Sequence, residues 1–113
     1  MSDKFSNIEI IDNQRGIAAL QAPENLLGGE SNFELSKIID ELNNQTVHIL
    51  ALDLSKVLAI NSSGLGSLIA AKRILTTKNI KFILINPSNK VQEILSITHL
   101  DKVFNLANDY SAL

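Results

Sequence analysis

The chain has 113 residues, of which 45% are hydrophobic and 19% charged, with a formal net charge of −2 and no cysteine. This length fits one domain spanning residues 1–113, and the absence of cysteine excludes disulfides and thiolate metal sites. The near-neutral charge argues against nucleic-acid binding, and no apolar run is long enough for a membrane span or signal peptide, so we expect a cytoplasmic protein.

The first third of the sequence predicts a hairpin followed by a helix. Two β-prone runs, residues 8–11 and 16–20, flank four turn-forming residues. A connection containing one proline and paired glycines follows. Ser31 and Glu34 then have the spacing of a capping box. The helix is indicated by an apolar pattern at i, i+3, i+4 and i+7, namely Leu35, Ile38, Ile39 and Leu42.

The middle of the sequence predicts a buried strand and a second helix. Residues 47–54 are almost wholly apolar, which is typical of a strand covered on both faces. After a polar break, the sequence Asn-Ser-Ser-Gly-Leu-Gly at residues 61–66 precedes a helical pattern that runs to about Lys78. We expect the basic residues of this region to form a solvated rim, or else a modest basic edge towards an acidic partner: Lys72, Arg73, Lys78 and Lys81.

The last third predicts one more strand and helix and a short final strand. The strand covers residues 82–85, Pro87 suits the first turn of the helix, and residues 91–98 give its apolar stripe. Residues 103–106 can form the last strand before a tail. The order ββαβαβαβ with right-handed crossovers predicts an α/β domain, with helices over a mixed, mostly parallel sheet.

The segment from Asp53 to Gly66 is the most informative for function. It joins the carboxyl end of a buried strand to the start of a helix, where α/β sheets commonly bind ligands and partners. Ser62 and Ser63 are both placed to cap the helix. The glycines, Gly64 and Gly66, would let another molecule approach the backbone. A phosphate on either serine would lie at the positive end of the helix dipole, although a simple helix cap explains the same residues.

Two residues near this segment have alternative interpretations. Asp53 either supports the loop before the second helix or ends the strand by accepting backbone N–H groups, and the second role is the commoner one. Leu65, one turn into the helix, is either an exposed contact for a partner or a core residue. The sequence leaves both alternatives open.

Enzymatic sites are not indicated. Neither His48 nor His99 has carboxylates or cysteines at metal-ligand spacing, so no metal is expected. The chain lacks the Gly-x-Ser-x-Gly elbow of hydrolases. The dinucleotide-binding glycine pattern fails because Ile69 stands where its third small residue would be needed. We therefore expect no catalytic residues and no cofactor, and a nucleotide hydrolase is the weakest hypothesis.

The pattern from Asp53 to Gly66 resembles the signature of the STAS domain family. The N-terminal hairpin, Pro87 and residues 98–104 are also similar to that family, so the resemblance covers nearly the whole chain. The family includes bacterial anti-sigma factor antagonists, stressosome subunits and the tails of sulfate transporters. The resemblance implies a domain that binds proteins and does not catalyse a reaction.

The resemblance also implies a phosphorylation switch. In antagonists, the position matching Ser62 accepts phosphate from an anti-sigma factor that is itself a serine kinase. The unphosphorylated form binds that factor and frees a sigma factor, and a PP2C-type phosphatase restores this form after phosphorylation. The implied partner-binding residues are Asn61, Ser62, Ser63, Gly64 and Leu65, with Asp53 supporting the loop. We expect a monomer or weak dimer.

One residue departs from the family pattern. Asn61 stands where the antagonists usually have aspartate. The amide keeps a similar shape and hydrogen-bonding reach but lacks the charge. Phosphorylation of Ser62 is slowed or absent if the carboxylate helps to orient the hydroxyl or the kinase, whereas the amide removes a charge that would repel the phosphate. This departure slightly favours an alternative function, a non-switching scaffold subunit of a larger complex of the stressosome-like or transporter-associated kind.

Overall fold

The computed structural model describes residues 4–113, apart from the side chains of residues 30–32. The strands and helices of this part follow one another as β1 (Glu9–Asp12), β2 (Ile17–Gln21), β3 (Asn25–Leu26), α1 (Glu30–Asp40), β4 (Ile49–Asp53), β5 (Ala59–Ile60), α2 (Ser62–Thr77), β6 (Lys81–Ile85), α3 (Asn89–Ile97) and β7 (Asn105–Ala107). The main sheet has the order β1-β2-β4-β6-β7, in which only the β1–β2 pair is antiparallel. The predicted α/β class with a mixed, mostly parallel sheet is confirmed.

The core lies mainly between the sheet and the three helices. Alternate residues of the central strand β4 separate two apolar clusters. Leu50 and Leu52 belong to the larger cluster, which contains the inward residues of all three helices, whereas Ala51 belongs to a smaller one. In the smaller cluster Ala51 packs with Ile83 and Ile85 and is covered in part by Leu113. The C-terminal residues, which we predicted to be a tail, therefore fold against the sheet.

A second, two-stranded sheet lies beside the start of α2, and no pattern in the sequence predicts it. Its strands β3 and β5 are parallel and pair Leu26 with Ile60. The backbone N–H groups of Leu58 and Ala59 also donate to the Glu24 carbonyl, at 2.8 and 3.1 Å. A strand of two residues has no measurable hydrophobic period, so the sequence predicts only a connection in the region before α1.

Several predicted helix and strand boundaries differ from the structure by one or two residues, and the starts of α1, α3 and β7 have an identifiable cause. Helix α1 begins at Glu30 with Gly29 as its N-cap, so the predicted capping box is wrong in position, and the Ser31 side chain lies outside the described residues. The Glu34 carboxylate instead accepts a hydrogen bond from the backbone N–H of Phe5. At α3 the cap is Ser88, so Pro87 precedes the helix. The last strand, β7, begins two residues later than predicted, after a 3-10 turn at Leu100–Lys102.

Lys78 joins the C-terminal ends of α1 and α2. Its Nζ donates to the backbone carbonyls of Ile39, Asp40 and Leu42, at 2.7, 3.0 and 3.2 Å. These carbonyls lie at or just after the end of helix α1, where the usual intrahelical donors run out, although the Ile39 carbonyl also accepts the Leu42 N–H at 3.1 Å. A positive charge is also favourable at a helix C-terminus. Lys78 is therefore part of the helix packing, contrary to its expected place in a solvated rim.

The start of α2 packs directly against the backbone of β3. Gly64 is buried, and a Cβ at this position would lie 1.9 Å from the carbonyl oxygen of Leu26 and 3.2 Å from Cγ1 of Ile60. Only glycine permits this approach. By contrast, a Cβ at Gly66 would meet no atom within 4 Å. The two glycines of this helix thus have different surroundings.

We expect Gly64→Ala and Gly66→Ala to change stability in opposite directions. The first substitution must push α2 away from β3, which should lower the free energy of unfolding by about 1–3 kcal/mol. The second adds a helix-favouring residue in open space and should raise that free energy by about 0.5–1 kcal/mol. Urea unfolding followed by circular dichroism measures both, and equal effects of the two substitutions would contradict the close approach at Gly64.

Candidate functional site

Asn61 is the N-cap of helix α2. Its backbone is extended, with φ −121° and ψ −175°, and its side-chain oxygen accepts a hydrogen bond from the Gly64 N–H at 2.9 Å. Its carbonyl accepts the Leu65 N–H, also at 2.9 Å. The expectation that Ser62 or Ser63 caps the helix is therefore wrong. Both serines lie inside the first turn, because the asparagine before them already occupies the capping position.

The two serine side chains of this turn are both exposed but have different surroundings. Ser63 lies against the loop before α1, since a Cβ at Gly28 would fall 2.5 Å from the Ser63 Cβ. Its carbonyl also accepts a hydrogen bond from the Ser67 hydroxyl at 3.1 Å. Ser62 is the first residue of α2 and follows the cap directly. This position leaves it at the edge of the helix.

Gly64 and Leu65 contribute to the packing of the helix start. The space in front of Gly64 is filled by the Leu26 carbonyl of the same chain, so a partner cannot approach the backbone there as we had expected. Leu65 is half-buried and packs against the core. The exposed glycine is Gly66, one turn after Ser62. The accessible part of the predicted segment is therefore Asn61, Ser62 and Ser63, with the outer part of Leu65.

No charged residue occurs between Lys56 and Lys72 in the sequence, and the first turn of α2 holds no acidic side chain. The positive end of the helix dipole is therefore not neutralised by a neighbouring carboxylate on this segment. A phosphate group placed on Ser62 would be the dominant local charge, because it carries about −1.5 to −2 at pH 7.

A cleft of about 450 Å³ begins next to this helix start and runs between α1 and α2. The residues that line it are all uncharged, and most of those on α2 are small: Leu35, Ser36, Ile39, Ser63, Gly66, Ser67, Ala70, Ala71 and Ile74. The cleft and the exposed serines thus form one continuous surface that can take an apolar group from another molecule.

Asp53 lies at the carboxyl end of β4 and is buried. Its Oδ1 accepts the backbone N–H of Ser55 at 2.8 Å, which fixes the turn that leads towards β5. Its Oδ2 accepts the hydroxyl of Tyr110 at 3.5 Å. Both residues line a separate cavity of about 260 Å³ together with Glu9. Asp53 therefore acts on the loop before α2, and it does not line the cleft.

Tyr110 belongs to a 3-10 turn, Tyr110–Ala112, in the segment that we predicted to be a tail. Partial burial raises the pKa of Tyr110, and the negative charge of Asp53 raises it further. The hydroxyl therefore stays protonated and can donate to Asp53 over a wide range of pH. No sequence pattern links these residues, which are 57 positions apart.

The described residues contain neither a metal-binding cluster nor a membrane-spanning helix. Within residues 4–113, leaving aside the side chains of residues 30–32, no group of three or more His, Asp or Glu side chains could hold a metal ion. None of the helices in that same part of the chain combines the length and the hydropathy that crossing a bilayer requires.

Comparison with known protein sequences gives relatives of two kinds. The sequence model of the STAS domain matches residues 10–112. A Thermotoga maritima protein named as an anti-sigma factor antagonist is 30% identical over 74 residues, which are 66% of this chain and 66% of that protein. An Arabidopsis thaliana protein named as sulfate transporter 3.5 is 31% identical over 86 residues, covering 74% of this chain and 14% of the transporter. The chain thus spans about two thirds or less of these relatives.

Solved structures of similar proteins have the same fold as this chain. The crystal structure of a Thermotoga maritima protein named as an anti-sigma factor antagonist has a TM-score of 0.75 at 27% identity, covering 94% of this chain and 88% of that one. The phosphorylated form of the Bacillus cell fate determinant SpoIIAA has a TM-score of 0.64 at 19% identity and covers 96% of each chain, which shows a shared fold. From the match of the family model over residues 10–112, together with the sheet order, the chain belongs to the STAS domain family.

Proposed function

We propose that this protein is an anti-sigma factor antagonist that is switched by phosphorylation of Ser62. In the unphosphorylated state it binds an anti-sigma factor of the serine-kinase type in the cytoplasm and thereby releases a sigma factor. A PP2C-type phosphatase returns the phosphorylated protein to the binding state. The observation that carries this proposal is the exposed Ser62 at the start of α2, on a segment without charged residues.

The relatives support the same function. A protein named as an anti-sigma factor antagonist is 30% identical over 66% of this chain, and a similarly named protein has the same fold at 27% identity. SpoIIAA, an antagonist by name, was solved in an unphosphorylated and a phosphorylated form. Proteins with this fold are therefore known in both states that the switch requires.

The physical basis of the switch is the burial of a new charge. Asn61, Ser62 and Ser63 offer an uncharged surface that can be covered by a partner without leaving a charge in the contact. Phosphate on Ser62 would have to be desolvated in the same contact, and no basic residue between positions 57 and 71 compensates it. Phosphorylation should therefore break the complex.

Asn61 provides the cap without adding charge. An aspartate at this position could accept the same Gly64 N–H, but its carboxylate would then lie beside the phosphate on Ser62. We infer that the amide keeps the helix start in place and lowers the electrostatic cost of phosphorylation. Two further residues help to hold the start of α2 in place. Gly64 allows α2 to approach β3, and Asp53 fixes the turn that precedes β5.

A second candidate function is a non-switching scaffold subunit of a larger assembly. The relative named as a sulfate transporter carries a matching domain within a much longer protein, of which this chain covers 14%. Asn61 fits this alternative only if phosphoryl transfer needs the carboxylate that antagonists usually have at this position. This alternative predicts stable binding to a partner without any phosphorylation of Ser62.

Phosphorylation of Ser62 is tested first by intact mass spectrometry. We expect one phosphate to be added after incubation with ATP and the cognate anti-sigma kinase, and none with Ser62→Ala. Ser63→Ala is the matched control because Ser63 is the adjacent exposed hydroxyl, and it should still gain one phosphate. Binding to the kinase without any mass gain would favour the scaffold function.

The effect of the charge on binding is tested with two further variants. Ser62→Asp should weaken binding to the anti-sigma factor by about tenfold or more, because it places a charge in the contact. Ser62→Ala adds no charge and should preserve the affinity. Titration calorimetry with the purified anti-sigma factor measures all three proteins. Equal affinities of the unaltered protein and the two variants would show that Ser62 does not lie in the contact.

The capping role of Asn61 predicts a difference between two substitutions. Asn61→Ala removes the acceptor of the Gly64 N–H and should lower the free energy of unfolding by about 1 kcal/mol, whereas Asn61→Asp keeps it. We also expect Asn61→Asp to be phosphorylated no faster than the unaltered protein. A clearly faster rate would show that the carboxylate of the family has a part in phosphoryl transfer that the amide cannot take.

A further inference from the structure

The α1–α2 face carries a large exposed aromatic side chain. Phe33, in the first turns of α1, is 83% exposed, more than any other large apolar side chain among the described residues. We propose that this face is a homodimer contact in which Phe33 of each copy packs over Gly66 of the other. The proposal concerns the oligomeric state and goes beyond the proposed switch.

The cleft between the helices has the shape and chemistry to receive this ring. Gly66 lines it, and no atom lies within 4 Å of the position that a Cβ would take there. No charged residue lines the cleft, so an aromatic group can enter without desolvating a charge. The cleft of about 450 Å³ leaves enough space for one phenyl group.

The spacing of residues along the two helices favours a second copy of this chain as the occupant. Phe33 and Asp40 are seven residues apart on α1, and Gly66 and Arg73 are seven apart on α2. Both pairs therefore span about 10.5 Å along their helices. The helices run in the same direction, because each is a crossover between parallel strands of one sheet and Lys78 joins their C-terminal ends.

A two-fold axis parallel to the two helices lets both equally spaced pairs meet at the same time. It places α1 of one copy against α2 of the other, so that Phe33 meets Gly66 while Asp40 faces Arg73. Both charged residues are exposed and follow residues that line the cleft, Asp40 four positions after Ser36 and Arg73 three after Ala70. Each contact occurs twice. Asp40 and Arg73 attract across the contact, while the exposed Lys37, four residues after Phe33, lies opposite Ala70, four residues after Gly66.

The dimer would also cover the phosphorylation surface. Ser62 lies four residues before Gly66, on the same side of α2, so a ring packed over Gly66 hinders access to its hydroxyl. This consequence rests on the proposed function. If both hold, self-association and binding of the kinase compete, and the protein becomes available for phosphorylation when the dimer dissociates.

The dimer is tested by sedimentation equilibrium of the purified protein over a range of concentrations, without any partner. We expect a reversible monomer–dimer equilibrium that Phe33→Ser weakens by about tenfold or more. Ile97→Ser is the matched control, because Ile97 is 69% exposed on α3, away from the cleft. It should leave the equilibrium unchanged.

A charge exchange tests the orientation. Asp40→Arg and Arg73→Asp should each weaken the dimer by bringing like charges together, and the double variant should restore it. Thermal unfolding of each variant checks that the fold is retained. A protein that stays monomeric at all concentrations, or a dimer that Phe33→Ser leaves intact, would overturn the proposal. Because neither result involves a kinase, the proposed phosphorylation switch would stand or fall separately.

Discussion

The position of helix α2 depends on one backbone-to-backbone approach, between Gly64 and the carbonyl of Leu26. Two constraints act on Gly64 together, because its N–H is held by the Asn61 amide while its missing side chain makes room for β3. The small β3–β5 sheet brings Leu26 and Ile60 to this point. Since Ser62 lies between the cap and the buried glycine, this packing presents its side chain at the surface.

The two ends of α2 are held in different ways, and only the N-terminal end leaves polar side chains free for a partner to contact. At the C-terminal end, Lys78 donates to three carbonyls at the end of α1 and is committed to the fold. At the N-terminal end the fold uses Asn61 and Gly64, while the hydroxyl of Ser62 remains exposed. The surface available to partners is therefore the N-terminal end and the uncharged cleft beside it. A single phosphate can change the charge of that surface without affecting the core.

The place of the candidate site in the fold could be predicted from the sequence, but the contacts within it could not. The Asn-Ser-Ser-Gly segment after a buried strand predicted the start of α2 correctly, while the role of Ser62 stays a prediction. The identity of the cap was wrong because asparagine and serine both favour that position, and only the backbone angles of Asn61 decide between them. Gly64 was read as an opening for a partner, since a sequence does not show that Leu26, 38 residues earlier, fills the space. The bond between Tyr110 and Asp53 was missed for the same reason.

The fold class was determined by the sequence itself. The apolar runs of β4 and β6 and the helical spacing of residues such as Leu35 and Ile39 specify which faces are buried. This pattern is local in the sequence, and any compact structure of the chain must bury those faces. Tertiary structure decided the rest: the pairing of β3 with β5, the anchoring of Lys78 and the exposure of Phe33 beside an open cleft. These features depend on contacts between distant residues, whose energies appear only when the chain brings them together.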